Sequence, residues 1–179
     1  MILAALVLAA SLDEVPRDVA PFVEKNTTVL AVERGDLDRD GREDAVLVLD
    51  PEAADQPRSL LILVRDAKGT LQLAKRSDKA VLCRDCGGIM GDPFQSVNVE
   101  KGRFTIEHYG GSSRRWSSSS TFAWSRRDQS WQLVRVESSS FHASDPEHEE
   151  KTVHTPPKDF GLIDLGEFDP ADYVGKGKK

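Results

Sequence analysis

The sequence predicts a mainly β protein: an antiparallel meander, folded as a sheet or sandwich of roughly seven or eight strands after a short N-terminal helix. Short runs rich in Val, Ile, Leu and Thr recur along the chain, and such residues suit a pleated, half-buried surface. Turn formers such as Asp50-Pro51, Gln56-Pro57 and Lys68-Gly69 separate these runs, the punctuation expected between sequential strands. In the second half, apolar and small polar residues alternate with the period of two that a strand requires.

The first eleven residues, Met1 to Ser11, are almost wholly aliphatic or small and are followed by Asp13-Glu14. The run is shorter than the ~20 residues of a membrane span, and Ala9-Ala10-Ser11 supplies small residues suited to cleavage, so 1–11 reads as a signal peptide. It departs from the full pattern in having no Lys or Arg before Arg17. A buried N-terminal helix is the competing reading of the same apolar run. Export to the periplasm or the medium is the expected destination, with no transmembrane segment.

Val15, Val19, Phe22 and Val23 fall at near-helical spacing between Leu12 and Lys25, which predicts the short amphipathic helix, broken or started around Pro16 and Pro21. Strands are then expected at Thr28–Glu33, Asp44–Leu49, Ser59–Arg65, Leu71–Ser77, Ser96–Glu100 and Arg103–Tyr109, with Lys101-Gly102 as a two-residue turn. On the last of these, Phe104, Ile106 and His108 share one face and Thr105, Glu107 and Tyr109 the other. Trp116, Ser118, Ser120, Phe122 and Trp124 alternate likewise, and Ser130–Glu137 closes the series. A domain of 12–142 follows. Residues 143–179 are expected as an extended arm with a frayed end, packing back on the body through Phe160, Leu162, Ile163, Leu165 and Phe168.

One chain of 179 residues with 39% hydrophobic and 30% charged residues suits a single domain with its own core. Its net charge of −6 and pI near 5.3 argue against a nucleic-acid surface, which needs clustered Lys and Arg.

The acidic stretch Asp36-Leu37-Asp38-Arg39-Asp40-Gly41-Arg42-Glu43-Asp44 carries the most specific chemistry. Calcium takes six to eight oxygen ligands, and a chain that wraps it needs carboxylates at alternate positions and one sharp turn. Asp36, Asp38 and Asp40 stand at loop positions one, three and five, Gly41 at the turn, Arg42 at seven for its backbone carbonyl, and Asp44 at nine, directly or through water. An EF-hand also requires a bidentate Glu at position twelve, and here that residue is Leu47. Magnesium usually keeps several waters and suits such a cage less well. The bland alternative is an acidic surface turn, since Asp and Gly form turns without any ion. Strand-like flanks make the unit strand-loop-strand. In this it resembles the FG-GAP or VCBS-type repeats of secreted and cell-surface proteins, over about twenty residues, Val29 to Leu49, in a single copy. The resemblance implies β-structure tied by a Ca2+ ion on Asp36, Asp38, Asp40, the Arg42 carbonyl and Asp44. The propeller and adhesion roles of multi-copy relatives do not carry over to one short copy.

Cys83 and Cys86, in Cys-Arg-Asp-Cys-Gly-Gly, are expected as a local disulfide in an oxidising compartment; redox and metal roles are the lesser readings. Tyr109, Trp116 and Trp124, with Trp131, could form an aromatic surface for a glycan or a protein partner, although strand aromatics are more often core. His108, His142, His148 and His154 lack metal-binding helical spacing, and no catalytic motif is present. The expected function is a non-enzymatic exported binding or interaction module with a structural calcium. The alternative is an envelope enzyme or enzyme inhibitor with a cleft near Cys83–Pro93 and His108-Tyr109.

Overall fold

The computed structural model describes residues 15–173; the expected signal peptide at 1–11 lies outside them. Among the described residues, nine strands form two antiparallel meanders. The first sheet has the order β1 (Thr27–Gly35), β2 (Asp44–Pro51), β3 (Ser59–Arg65), β4 (Leu71–Ser77). The second has β5 (Phe94–Glu100), β6 (Arg103–Gly111), β7 (Arg114–Ser125), β8 (Ser130–His142), β9 (Asp145–His154).

The period of two sorts the apolar runs onto two faces. On β2 and β3, Val46, Val48, Leu60 and Ile62 join Phe104, Ile106, Phe122 and Leu133 of the second sheet in one core. Ala45, Leu47, Leu49, Leu61 and Leu63 face the other way into a second cluster. These two strands are thus buried on both sides, which is why their sequence is continuously aliphatic instead of alternating. The outer cluster is covered by Val15, Val19, Phe22 and Val23. Each fully buried Leu or Ile of this kind stabilises the fold by roughly 1.5–3 kcal/mol.

That covering segment is not the expected helix. Among the described residues it makes a turn in which Val19 and Ala20 donate to the Pro16 carbonyl, then a 3-10 turn at Ala20–Phe22. Pro21 has no N–H to continue the ladder, so the helix stops as it starts. The near-helical spacing of the valines is satisfied by a tight turn lying on the sheet, pinned by Asp18. Its carboxylate accepts from Arg34 (2.6 Å) and Arg65 (2.8 Å), whose hydrogen bonds hold it far below the usual carboxylate range.

The strand count also exceeds expectation. The segment after Ala143, expected as an extended arm packing on the body, begins as β9, paired in register with β8 through Ser138↔Thr152 and Ser140↔Glu150. Beyond it the chain returns to the core: Leu165 and Phe168 are buried in it, and Phe160 and Ile163 pack against the same cluster. Leu162 is exposed. Backbone bonds from Leu133 N to the Ile163 carbonyl (2.8 Å) and from Leu165 N to the Trp131 carbonyl (3.0 Å) fix this return.

The two sheets are joined by the 78–93 crossover, anchored on Arg58. This arginine is 1% exposed. It donates to both Asp92 oxygens (2.7 Å to Oδ1), to Asp50 (3.0 Å) and to the Leu82 carbonyl (3.0 Å). Burial alone would weaken its charge; Asp92 and Asp50 more than offset that and keep it ionised.

Candidate metal centre

The acidic stretch connects β1 to β2. Gly35 and Asp44 are the last pair of the β1–β2 ladder, so the loop 36–43 must reverse the chain within eight residues. Arg39 (φ 67°) and Gly41 (φ 88°) both adopt left-handed conformations there, and glycine does so without steric cost. Side-chain caps set the winding: Asp38 accepts from Asp40 N (3.0 Å) and Asp40 from Arg42 N (2.8 Å).

This winding brings Asp36, Asp38 and Asp40 together, each with a carboxylate oxygen within 4.8 Å of the others. Burial pushes the Asp38 carboxyl upward; the Asp40 amide opposes this, and the charges of Asp40 and Asp36 raise it further. Asp36 Oδ1 is buried and has no hydrogen-bond partner among the described residues, a costly condition for a polar oxygen. Two cations touch the rim. Lys101, largely exposed, stands 3.7 Å from Asp36 Oδ2, and Arg42 pairs with Asp40 while its Nε donates to the Arg65 carbonyl (2.7 Å).

Asp44 has a different position. It is fully buried, and its two oxygens accept from Leu37 N (2.8 Å) and Arg65 N (2.9 Å). Burial raises its pKa against the pull of these two amides, and the Asp38 and Asp40 charges add to the rise. The carboxylate ties the loop to β3 from within.

Leu37, between the first two aspartates, is fully buried in the core shared by the sheets. Its carbonyl accepts the indole N–H of Trp131 (3.1 Å) on β8. The Asp36 carbonyl accepts from Gly102 N (2.7 Å) in the β5–β6 turn. The loop is therefore a junction: it closes one hairpin of the first sheet while resting on two elements of the second. The apolar residue between acidic ones was a readable signal for this insertion, but its partners were not.

The aromatic candidates are dispersed. Trp124 stacks obliquely on buried Trp131 at 4.6 Å and packs against the core. Trp116 faces the same side of β7, eight residues away, against Gly110, where a side chain would collide with it. Tyr109 pairs with Ser117 and points to the opposite face, so these three do not form one platform.

In the region around Cys83–Pro93 and His108, most residues of the 83–92 turn are exposed while His108 is buried. Cys83 and Cys86 are disulfide-bonded. His108 is 2% exposed, and its Nε2 accepts from Leu82 N (3.2 Å). A groove of about 410 Å³ lies elsewhere, between β1 and β5, lined by Leu30, Val32, Arg34, Phe94 and Val97 among others. Among the described residues no helix is long and apolar enough to cross a membrane.

These features define a class: a two-sheet, all-antiparallel β protein with an acidic loop at the sheet junction. No family model matches the chain, and no curated protein or solved structure matches it either.

Proposed function

We propose that this chain is an exported calcium-binding domain, a non-enzymatic binding or interaction module whose Ca2+ is structural and held by the strand-loop-strand of β1 and β2. The observation that carries the reading is Asp36 Oδ1, buried without a partner among the described residues in a group of three converging carboxylates. A hard divalent cation satisfies that oxygen and cancels the repulsion in one step. Asp36, Asp38 and Asp40 are the side-chain ligands, with the Arg42 carbonyl completing the turn. Asp44 stands behind them and holds Leu37 and Arg65 in place.

Such an ion acts as a staple: by fixing Asp36 and Leu37 it fixes their contacts to Gly102 and Trp131, and so the seating of one sheet on the other. Extracellular modules bind calcium at about 10⁻⁴–10⁻³ M, which matches permanent occupancy outside a cell. Thermal melting tests the reading. Chelation lowers the midpoint by several degrees, and Asp40→Ala removes that sensitivity; an identical midpoint with chelator and with millimolar calcium contradicts it.

A further inference from the structure

Cys83 and Cys86 are bonded across a sequence separation of 3, with Cα atoms 5.1 Å apart, and both residues are exposed. Closing so small a loop removes little entropy from the unfolded chain, so as a staple the bond is weak. The turn that carries it is held by contacts that involve no sulfur. Cys86 N donates to the Cys83 carbonyl (3.1 Å) and Gly111 N to the Gly87 carbonyl (2.8 Å). Leu82 is gripped from both sides, its N–H on His108 and its carbonyl on Arg58. Arg84 reaches Asp50 (3.1 Å). None of these contacts needs the S–S bond, so opening it leaves two thiols side by side on a fixed backbone.

Next to the turn, Ile89 and Met90 remain 78% and 44% exposed. Disulfides that thiolates can reach are the labile and exchanging ones, and an apolar flank favours a polypeptide thiol over a small charged one.

We propose that Cys83–Cys86 is a thiol–disulfide exchange site that takes two electrons from a polypeptide bearing two cysteines, with the apolar residues beside the attacking thiol resting on Ile89 and Met90. A partner thiolate attacks one sulfur of the pair. The S–S bond breaks, its electron pair passes to the other sulfur, which takes up a proton, and a mixed disulfide forms. The partner's second thiolate attacks the partner's own sulfur in that bond and releases the remaining cysteine as a thiol. The pair ends reduced by two electrons and two protons, and the partner ends as a disulfide.

The test uses the full chain in calcium-containing buffer and two reductants at matched thiolate concentration: reduced glutathione, and a synthetic peptide with two cysteines flanked by Leu and Phe. Acid quenching, alkylation and mass measurement follow the opening of the bond, and a disulfide-closed peptide of residues 82–87 gives the intrinsic rates. The expected result is reduction of the folded protein at a rate first order in thiol, with the apolar peptide at least about tenfold faster than glutathione after normalisation. The reduced protein melts within about 8 °C of the oxidised one. Oxidised glutathione restores the bond. The double variant Ile89→Ser, Met90→Ser loses the tenfold preference and keeps the glutathione rate. The proposal is overturned if reduction proceeds only as fast as global unfolding, if the reduced protein is unfolded, or if the two reductants act equally.

Discussion

Trp131 donates its indole N–H to the carbonyl of Leu37 at 3.1 Å, joining two positions 94 apart in the chain. Both residues are buried, at 2% and 0% exposure, so the bond has no water to replace it. Trp131→Phe keeps most of the packing and removes the donor. A buried carbonyl left without its partner costs about 1–3 kcal/mol, and a loosened Leu37 misplaces Asp36 and Asp38 on either side. We expect a loss of that size in urea unfolding and a several-fold weaker calcium response; unchanged values on both measures would separate the loop from the second sheet.

Asp38 and Asp44 should respond in opposite ways to the same isosteric change. Asp44→Asn leaves one acceptor for two backbone amides, one of them buried, and turns an NH2 group toward the other, so stability falls by about 2 kcal/mol with or without calcium. Asp38→Asn keeps the acceptor used by Asp40 N and removes repulsion with Asp36 and Asp40. Its calcium-free stability holds or rises, while the stabilisation by calcium is lost. Equilibrium unfolding of both variants, with ion and with chelator, gives the four values needed.

His108 sets a pH dependence. Burial, then the Arg58 charge, hold its imidazole at about 4 instead of 6.5, with Asp92 pulling weakly the other way. Above pH 6.5 neither the folded nor the unfolded chain protonates this ring, and its full contribution is present. As pH falls from 6.5 toward 4, the unfolded chain takes up the proton first, so folding is disfavoured by about 3 kcal/mol over that window. His108→Gln keeps an acceptor for Leu82 N and flattens this part of the profile. A wild-type stability that stays level from pH 7 to 4.5 contradicts the assignment.

Arg58 holds the crossover through Asp92, Asp50 and Leu82 at once. Arg58→Met fills much of the volume but leaves Asp50, two-faced toward Arg58 and Arg84, and the Leu82 carbonyl without their buried donor. Breaking a buried pair from one side costs about 3–5 kcal/mol, discounted here to about 3 because the Asp92 carboxylate is partly open to solvent. Chemical unfolding at neutral pH reads it.

How much of this was legible follows from where the apolar residues lie. β3 and β4 coincide with their expected spans because β3 is a run of buried aliphatics and β4 is bounded by Gly69 and Ser77. β9 was not legible: nearly every side chain on it is exposed, so no face is marked, and it exists by pairing with β8 along a sheet edge kept charged. The extension of β8 through Ser138, Ser139 and Ser140 is silent because three half-buried serines in a row mark no apolar face. At the N-terminus the valine spacing pointed to a short helix started or broken around Pro16 and Pro21, and the chain makes only turns there because Pro21 has no N–H to extend one. At the candidate site, the alternation of aspartates was plain in the sequence. The inward use of Asp44 was not, because which carboxylate meets a backbone amide depends on Arg65, two strands away.

Calorimetric titration of the folded chain with calcium tests the central claim most directly. The account predicts one site per chain, saturating by millimolar calcium, with the heat abolished in Asp40→Ala and retained in the double variant Cys83→Ser, Cys86→Ser. No heat of binding up to several millimolar, or a heat that survives in Asp40→Ala, would show that Asp36, Asp38 and Asp40 form an acidic turn and not a calcium site.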